Sequence, residues 1–167
     1  MKDVFTALEM SEKLLKIAFE EEFALHEGLK VVSKIIEKKA KNIIGEYSKG
    51  AGPFPEWAPL AERTLMDKER KGYSPPDNPL LRTGDLRNSI SSKVDGLEAV
   101  VGSTSEIAPY HEFGTSKMPM RPFIGTAAFR SKKKIREILG ATAISGFYGK
   151  GQKIHESLGY DFTTENE

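Results

Sequence analysis

The chain has 167 residues, of which 38% are hydrophobic and 29% are charged. This is enough apolar material for one compact domain but little for two. The 25 basic and 24 acidic residues give a formal net charge of +1, so no overall field draws the protein to nucleic acid or to an anionic membrane. The absence of cysteine excludes disulfides and thiolate chemistry. No apolar run is long enough for a signal peptide or a membrane span, and neither is expected.

The first ~48 residues are predicted to form a long amphipathic helix, because apolar positions recur every three or four residues and lysines occupy the other side. The main apolar stripe consists of Leu25, Leu29, Val32, Ile36, Ala40, Ile43 and Tyr47. A shorter stripe precedes it at Met10, Leu14, Ile17 and Ala18. The segment is therefore either one helix or two helices that join at Gly28.

Prolines and glycines interrupt the helical pattern twice. Segments 48–59 and 72–79 are predicted loops, because proline and glycine break the regular backbone hydrogen bonding. A short polar helix is expected between them, over residues 60–71. In the first loop, Phe54 and Trp57 are expected to anchor the chain to the core.

A short helical turn is expected after the second loop. Thr83 can cap its first residues, and Asp85 favours the positive end of the helix. Leu86 and Ile90 share one face of this turn. The turn is therefore expected at the edge of the core.

The clearest β signal is a hairpin. Residues 90–94 and 97–102 are predicted strands, and the pair Asp95-Gly96 between them is typical of a tight hairpin turn. Leu97, Ala99 and Val101 alternate to one face in this prediction.

Two more helices are predicted after the hairpin. Pro109 suits the first turn of a short helix, and Gly114 suits its end. The second helix follows Pro122, with an apolar face at Ile124, Ala128, Ser131, Ile135 and Ile138. Its opposite face carries Arg130, Lys132, Lys133, Lys134 and Arg136. Beyond Gly140 glycine is frequent, so residues 141–167 are interpreted as a peripheral extension of a single domain over residues 1–140.

Signals for catalysis or metal binding are weak. His26, His111 and His155 lie far apart, and His111 lacks the second histidine of a helical zinc protease motif. No Gly-x-Ser-x-Gly elbow presents a nucleophilic serine. Segment 149–153 lacks the spacing and the Lys-Ser/Thr pair of a phosphate-binding loop. We therefore expect no enzymatic activity, no cofactor and no metal.

The basic side of the last predicted helix has two interpretations. Arg130, Lys133 and Lys134 can neutralise DNA phosphates, or they can form a solvated face opposite a core stripe. Both hold if this face lines the lumen of a ring.

Several short motifs follow one another between residues 54 and 128. They are Trp57-Ala58-Pro59-Leu60, Leu81-Arg82-Thr83-Gly84-Asp85-Leu86 with Ser89-Ile90, Val101-Gly102, Tyr110-His111-Glu112-Phe113-Gly114-Thr115, and Arg121-Pro122-Phe123. In their order and spacing, these motifs resemble the phage virion morphogenesis and tail-completion family, which includes proteins of Mu-like phages. The part of the chain after Gly140 has no counterpart in this resemblance.

The resemblance implies an α+β fold, with a small, mostly antiparallel β-sheet packed against a long N-terminal helix and a C-terminal helix. It implies a non-enzymatic assembly protein that acts in tail completion or head-tail joining as part of a ring. The partners would be other copies of itself and phage tail-tube, tail-terminator or head-connector proteins, with DNA contact a weaker expectation and no membrane contact. Its location would be the host cytoplasm during assembly and then the tail or neck of the virion.

Two other functions stay open. One alternative is a small prophage-encoded DNA-binding or nuclease-like cytoplasmic protein, although neither clustered carboxylates nor a basic surface stands out. A toxin-antitoxin or other cytoplasmic interaction domain is the third interpretation.

The motif residues are expected in the core or in an interface. Gly84 and Gly114 permit backbone turns that a β-carbon opposes. Arg121 is the best candidate for a polar contact, either in an internal ion pair or at a subunit interface. Expected core contacts are Leu81, Leu86, Tyr110, Phe113 and Phe123. The other motif residues of the core or interface are Trp57, Leu60, Thr83, Ser89, Thr115 and Pro122.

Overall fold

A computed structural model describes residues 6–147 as five helices and one β-hairpin. The elements are α1 (Ala7–Ile43), α2 (Glu62–Arg70), α3 (Asp85–Asn88), β1 (Ile90–Asp95), β2 (Glu98–Ser103), α4 (Ala108–Phe113) and α5 (Ile124–Phe147). β1 and β2 pair in a two-stranded antiparallel sheet. The predicted α+β fold with long N-terminal and C-terminal helices is confirmed.

The described residues divide into two compact units. Unit 1 comprises residues 6–32, 94–98 and 134–147, and unit 2 comprises residues 33–93 and 99–133. Each unit has its own buried residues. The single domain over residues 1–140 stays a prediction.

α1 is one continuous helix, with Gly28 inside it. Its start is fixed by a reciprocal capping box, in which the Thr6 backbone N–H donates to Glu9 Oε2 over 2.8 Å and the Glu9 N–H donates to Thr6 Oγ1 over 3.3 Å. Two residues beyond its end, Gly45 adopts a φ of 104° and donates its N–H to the carbonyl of Pro79. Of the two predicted arrangements, the single helix is therefore the observed one.

The hairpin turn lies one residue later than the predicted Asp95-Gly96 pair. Asp95 still belongs to β1, and Gly96 and Leu97 form the turn. Gly96 has a φ of 53°, and the first turn position is where type II′ hairpins take glycine. Because Leu97 lies in the turn, its side chain is exposed, whereas Ala99 and Val101 are half-buried as predicted.

α5 continues beyond its predicted end at Gly140 as far as Phe147. Thr142 and Ser145 are buried, so the start of the predicted peripheral extension is helix with a packed face. A glycine inside a helix costs only about 1 kcal/mol, which the burial of the following turns offsets. Residues 148–167 of the predicted extension lie outside the described residues.

The core of unit 2 is built from short segments of many elements. Phe123 and Ile90 are almost fully buried, and Trp57 is 2% exposed. The buried residues of this cluster are Ala40, Ile43, Ile44, Trp57, Leu86, Ile90, Ala108, Phe123 and Ala127. Both anchors predicted in the first loop therefore have partners, because Phe54 packs edge-on against Phe129 with ring centroids 6.4 Å apart.

Unit 1 depends on a close approach between α1 and α5. A β-carbon built on Gly28 would lie 2.7 Å from Oγ1 and 2.9 Å from Cγ2 of Thr142. One built on Gly146 would lie 2.5 Å from the α-carbon of Glu21. Both contacts are shorter than real β-carbons tolerate, so glycine at these positions sets the helix separation.

We predict opposite effects for two glycine substitutions in unit 1. Gly28→Ala forces a clash with Thr142 that outweighs the gain in helix propensity, so the free energy of unfolding falls by about 1–2 kcal/mol. Gly140→Ala, where nothing lies within 4 Å of the built β-carbon, gains about 0.5–1 kcal/mol. Chemical denaturation measures both. A stabilised Gly28→Ala protein would contradict the close packing.

A buried carboxylate links α1 to β1 within unit 2. Glu37 accepts hydrogen bonds from Lys41 Nζ over 2.7 Å, from Ser92 Oγ over 2.6 Å and from Lys34 Nζ over 2.9 Å. Burial raises the pKa of Glu37, but these bonds outweigh it and lower the pKa to about 2. The charged form is therefore the one that the fold stabilises.

This pKa predicts a specific acid sensitivity. A folded-state pKa below the unfolded value stabilises the fold above pH 4.5, and this contribution disappears as the pH falls from 4.5 to about 2. Wild type should exceed Glu37→Gln by about 3 kcal/mol in free energy of unfolding at neutral pH, and by much less near pH 2. Urea denaturation across this pH range measures the difference. Glu46→Gln, at an exposed side chain outside the network, is the control, and a difference that does not change with pH would refute the assignment.

Candidate functional site

The two last family-like motifs meet at the carboxylate of Glu112. α4 ends at Phe113, and Glu112 accepts hydrogen bonds from the backbone N–H groups of Phe123, Ile124 and Gly125 over 2.9, 3.1 and 2.7 Å. These groups open α5, where a negative charge is favoured by the helix dipole. One side chain of α4 thus caps a helix that starts many residues later.

The chain between α4 and α5 is held by backbone contacts. Gly114 has a φ of 74°, and a β-carbon there would lie 2.9 Å from the backbone nitrogen of Met120. An antiparallel bridge joins Thr115 to Met118, and the Arg121 N–H donates to the carbonyl of His111 over 2.7 Å. Glycine at position 114 is therefore required both for the backbone angle and for the close approach.

The predicted cap at Thr83 is wrong by one residue. The N-cap of α3 is Gly84, with a φ of 92°. Thr83 instead lies just outside, where its Oγ1 donates to the Asp85 carboxylate over 2.5 Å and accepts from the Asp85 N–H at 3.4 Å. The backbone turn predicted at Gly84 is present, because only glycine readily adopts this angle.

Arg121 is buried without an acidic partner. The residue is only 6% exposed. Its Nη2 donates to the carbonyls of Ala58 and Pro59 over 2.9 and 3.2 Å. Among residues 6–147, its Nε has no hydrogen-bond partner. Burial lowers the pKa of Arg121 from its ordinary value. Of the two roles predicted for Arg121, the internal ion pair is wrong within residues 6–147.

Arg121 lines a cavity of about 550 Å³ in unit 2. A second buried cation lines it too, because Lys68 is only 2% exposed and donates to the carbonyl of Asn78 over 2.6 Å. Burial lowers the pKa of Lys68, the charge of Arg82 acts in the same direction, and the charge of Asp77 opposes both. The rest of the wall includes the apolar residues Leu60, Leu80, Leu81, Leu86 and Pro119, the cations Arg82 and Lys117, and the carboxylate of Asp85.

His111 contributes a further unpartnered polar atom to this cavity. Its Nδ1 is buried and has no hydrogen-bond partner among the described residues. Burial lowers the pKa of His111, and the nearby Arg121 charge lowers it further. Both effects favour the neutral imidazole.

Tyr110 and Phe113 are not core residues in this chain. Their exposed fractions are 56% and 75%, whereas Leu81 is half-buried and Leu86 and Phe123 are buried. The physical reason is that α4 has only six residues, and Ala108 is the one it buries. Ile107 and Met120 are exposed as well. For Tyr110 and Phe113, the other predicted role, contact at an interface, stays a prediction.

Other predicted site residues have structural partners in unit 2. Trp57 and Pro122 are buried, and the Ser89 hydroxyl lies 2.7 Å from that of Ser103. Thr115 is exposed. The cavity brings together Leu60, Leu81, Thr83, Gly84, Leu86 and Arg121, which come from three different motifs.

The three residues of the predicted basic face have different surroundings. Arg130 donates to Ser48 Oγ over 3.0 Å and to the Gly50 carbonyl over 3.1 Å, so it anchors the first loop. Lys133 is exposed, and Lys134 pairs with Glu137 over 3.7 Å. Arg130 and Lys133 belong to unit 2 and Lys134 to unit 1.

Sequence reasoning missed two residues of this site. Glu112 lies inside the motif that runs from Tyr110 to Thr115. A sequence signal for its role existed, because neither Pro122 nor Phe123 has a side chain that can cap the helix predicted after them. Lys68 carried no signal, because a lysine in a short polar helix ordinarily faces solvent.

The model of the phage virion morphogenesis family matches residues 9–143. The chain belongs to this family. The resemblance in the motifs is thereby confirmed, and the match extends over most of α1 and α5. No curated protein and no solved structure matches the chain.

Family membership assigns this protein to the assembly of bacteriophage virions. Between residues 6 and 147, no helix is long and apolar enough to cross a membrane. Over the same residues, no group of three histidine, aspartate or glutamate side chains is placed to hold a metal ion.

We predict that Glu112→Ala lowers the free energy of unfolding by about 2–3 kcal/mol, because three helix N–H groups lose their acceptor. Glu112→Gln keeps one acceptor oxygen and should lose about 1 kcal/mol. Chemical denaturation gives both values. Glu106→Ala, at an exposed position before α4, is the control and should change stability by less than ~0.5 kcal/mol. Equal stability of Glu112→Ala and wild type would show that the cap does not hold α5.

Proposed function

We propose that this phage virion morphogenesis protein acts in tail completion or head-tail joining, as one subunit of a ring. The observation that carries the proposal is the exposure of Tyr110 and Phe113 inside a family-like motif. Large aromatic side chains on a surface are typical of interface contacts, because they bury much area at little entropic cost.

The surrounding surface supports an interface of useful size. Ile107 and Met120 are exposed apolar residues on the same short stretch of unit 2 as Tyr110 and Phe113. α4 is rigidly placed, because Glu112 ties it to the start of α5. A preorganised apolar surface loses little conformational entropy on binding.

Unit 1 exposes a second apolar surface along the first half of α1. Its large exposed side chains are Leu8, Met10, Leu14, Leu15, Phe19 and Phe23. Leu8, Leu15, Phe19 and Phe23 share one side of the helix because they are spaced by seven and four residues, and several exposed apolar side chains on one side of a helix are typical of an interaction surface. Two separate apolar surfaces on one chain suit a subunit that contacts more than one neighbour, as a ring subunit does.

In this proposal the protein is structural and not an enzyme. Its partners are other copies of itself and phage tail-tube, tail-terminator or head-connector proteins. It is present in the host cytoplasm during assembly and then in the tail or neck of the virion. Arg130 already donates to Ser48 in the first loop. DNA contact through Arg130 is therefore a minor part of the proposed assembly role.

Deletion of the gene from an inducible prophage tests the proposal. Electron microscopy of the lysate should show full heads that are separate from free or overlong tails. Normal virions would refute a role in completion or joining. Complementation by the wild-type gene in trans should restore infectious particles.

Complementation by surface variants then tests the interface. Tyr110→Ser with Phe113→Ser should fold but fail to restore infectious titre, because the contact loses its aromatic area. Met66→Ser with Val100→Ser is the matched control, because both side chains are exposed and apolar but lie in α2 and β2. Full complementation by the aromatic variant would remove α4 from the interface. Unfolding curves of the purified variants show whether each one folds.

A further inference from the structure

Cations outnumber carboxylates among the described residues that line the cavity of unit 2, with Lys68, Arg82, Lys117 and Arg121 against Asp85. Arg121 and Lys68 are buried and bond only to backbone carbonyls. One carboxylate, Asp85, lines the cavity as well, and Arg82 pairs with Asp67 over 3.5 Å, but Arg121 and Lys68 have no ion pair among the described residues. Buried cations without an anion are costly, so their retention indicates that an anion completes the site.

The residues that line the cavity indicate which kind of anion it binds. Arg121 Nε and His111 Nδ1 are buried polar atoms without partners beside leucine and proline side chains. A volume of about 550 Å³ holds a short peptide segment with one or two apolar side chains. A DNA duplex presents its phosphates on a convex surface, whereas these cations are buried within a cavity. A peptide carboxylate flanked by apolar side chains therefore fits better.

The chain itself contains a segment with this chemistry. Residues 160–167 read Tyr-Asp-Phe-Thr-Thr-Glu-Asn-Glu, with three carboxylates, two aromatic rings and neither lysine nor arginine. We propose that the cavity binds this acidic segment of another copy of the chain, an inference that rests on the proposed ring. Asp161 between Tyr160 and Phe162 supplies the carboxylate, and the two rings contact the leucine wall. This contact joins neighbouring subunits through the exposed mouth residues Arg82 and Lys117.

The length of the intervening chain limits how far the acidic segment reaches from the end of α5. Residues 148–160 span at most ~45 Å when fully extended. A tethered segment near a neighbouring subunit has a high effective concentration, so a modest intrinsic affinity is sufficient in an assembled ring.

A labelled synthetic peptide of residues 156–167 tests the proposal by fluorescence anisotropy. The protein is the full chain with Asp161→Asn, Glu165→Gln and Glu167→Gln, which removes competition from its own segment. We expect saturable binding that weakens as salt rises. Adding Arg82→Gln and Lys117→Gln should weaken binding about tenfold or more, since charge-assisted bonds are lost. Lys49→Gln with Arg87→Gln, at exposed sites outside the cavity, is the matched control and should bind like the parent.

Several results would overturn the proposal. They are no binding, equal binding of a peptide in which Asp161 is replaced by Asn, equal binding of a scrambled peptide, and an unchanged affinity after the Arg82 and Lys117 substitutions. Stronger cavity-dependent binding of a DNA duplex would also overturn it. Because the assay uses purified protein, these results are independent of whether the gene deletion blocks virion assembly.

Mixing two full-length variants shows whether the contact joins two copies. One variant carries Arg82→Gln with Lys117→Gln, and the other carries the three neutralised carboxylates. Sedimentation should show more association in the mixture than in either variant alone, because one supplies the segment and the other the cavity. Association that does not increase on mixing would contradict a contact between copies.

Discussion

The capping of α5 by Glu112 is the interaction on which the rest of unit 2 depends. α5 begins directly after Pro122 and Phe123, and neither residue has a side chain that can accept from the first helical N–H groups. The carboxylate of α4 supplies this acceptor three times. It thereby fixes α4, seats Phe123 in the core and places Arg121 beside the cavity.

This arrangement explains how the separate motifs of this chain act together in the fold. The His-Glu-Phe-Gly segment supplies the cap and the turn, the Arg-Pro-Phe segment supplies the helix start, and the Leu-Arg-Thr-Gly segment supplies a wall of the same cavity. The residues left over from these structural tasks are the exposed rings of Tyr110 and Phe113 and the buried cations Arg121 and Lys68. The proposed contacts with other protein chains rest on these exposed rings and on the two buried cations, which have no ion pair among residues 6–147.

Sequence patterns correctly predicted the features that depend on interactions between neighbouring residues. The apolar period of α1, the proline-rich loops, the hairpin and the glycine at the end of α4 are all encoded within a few residues of one another, and the structure shows each of them. Long-range packing decided the rest. The burial of Thr142 and Ser145 extends α5 past Gly140, and the shortness of α4 leaves Tyr110 and Phe113 exposed. The burial of Lys68 depends on a carbonyl ten residues later, which no periodicity reveals.

We propose that this member of the phage virion morphogenesis family acts in tail completion or head-tail joining, as one subunit of a ring. Immunogold electron microscopy of purified virions, with an antibody against this protein, tests it most directly. The account predicts label concentrated at one point, where the tail meets the head. Label spread along the whole tail, or virions without label, would contradict it.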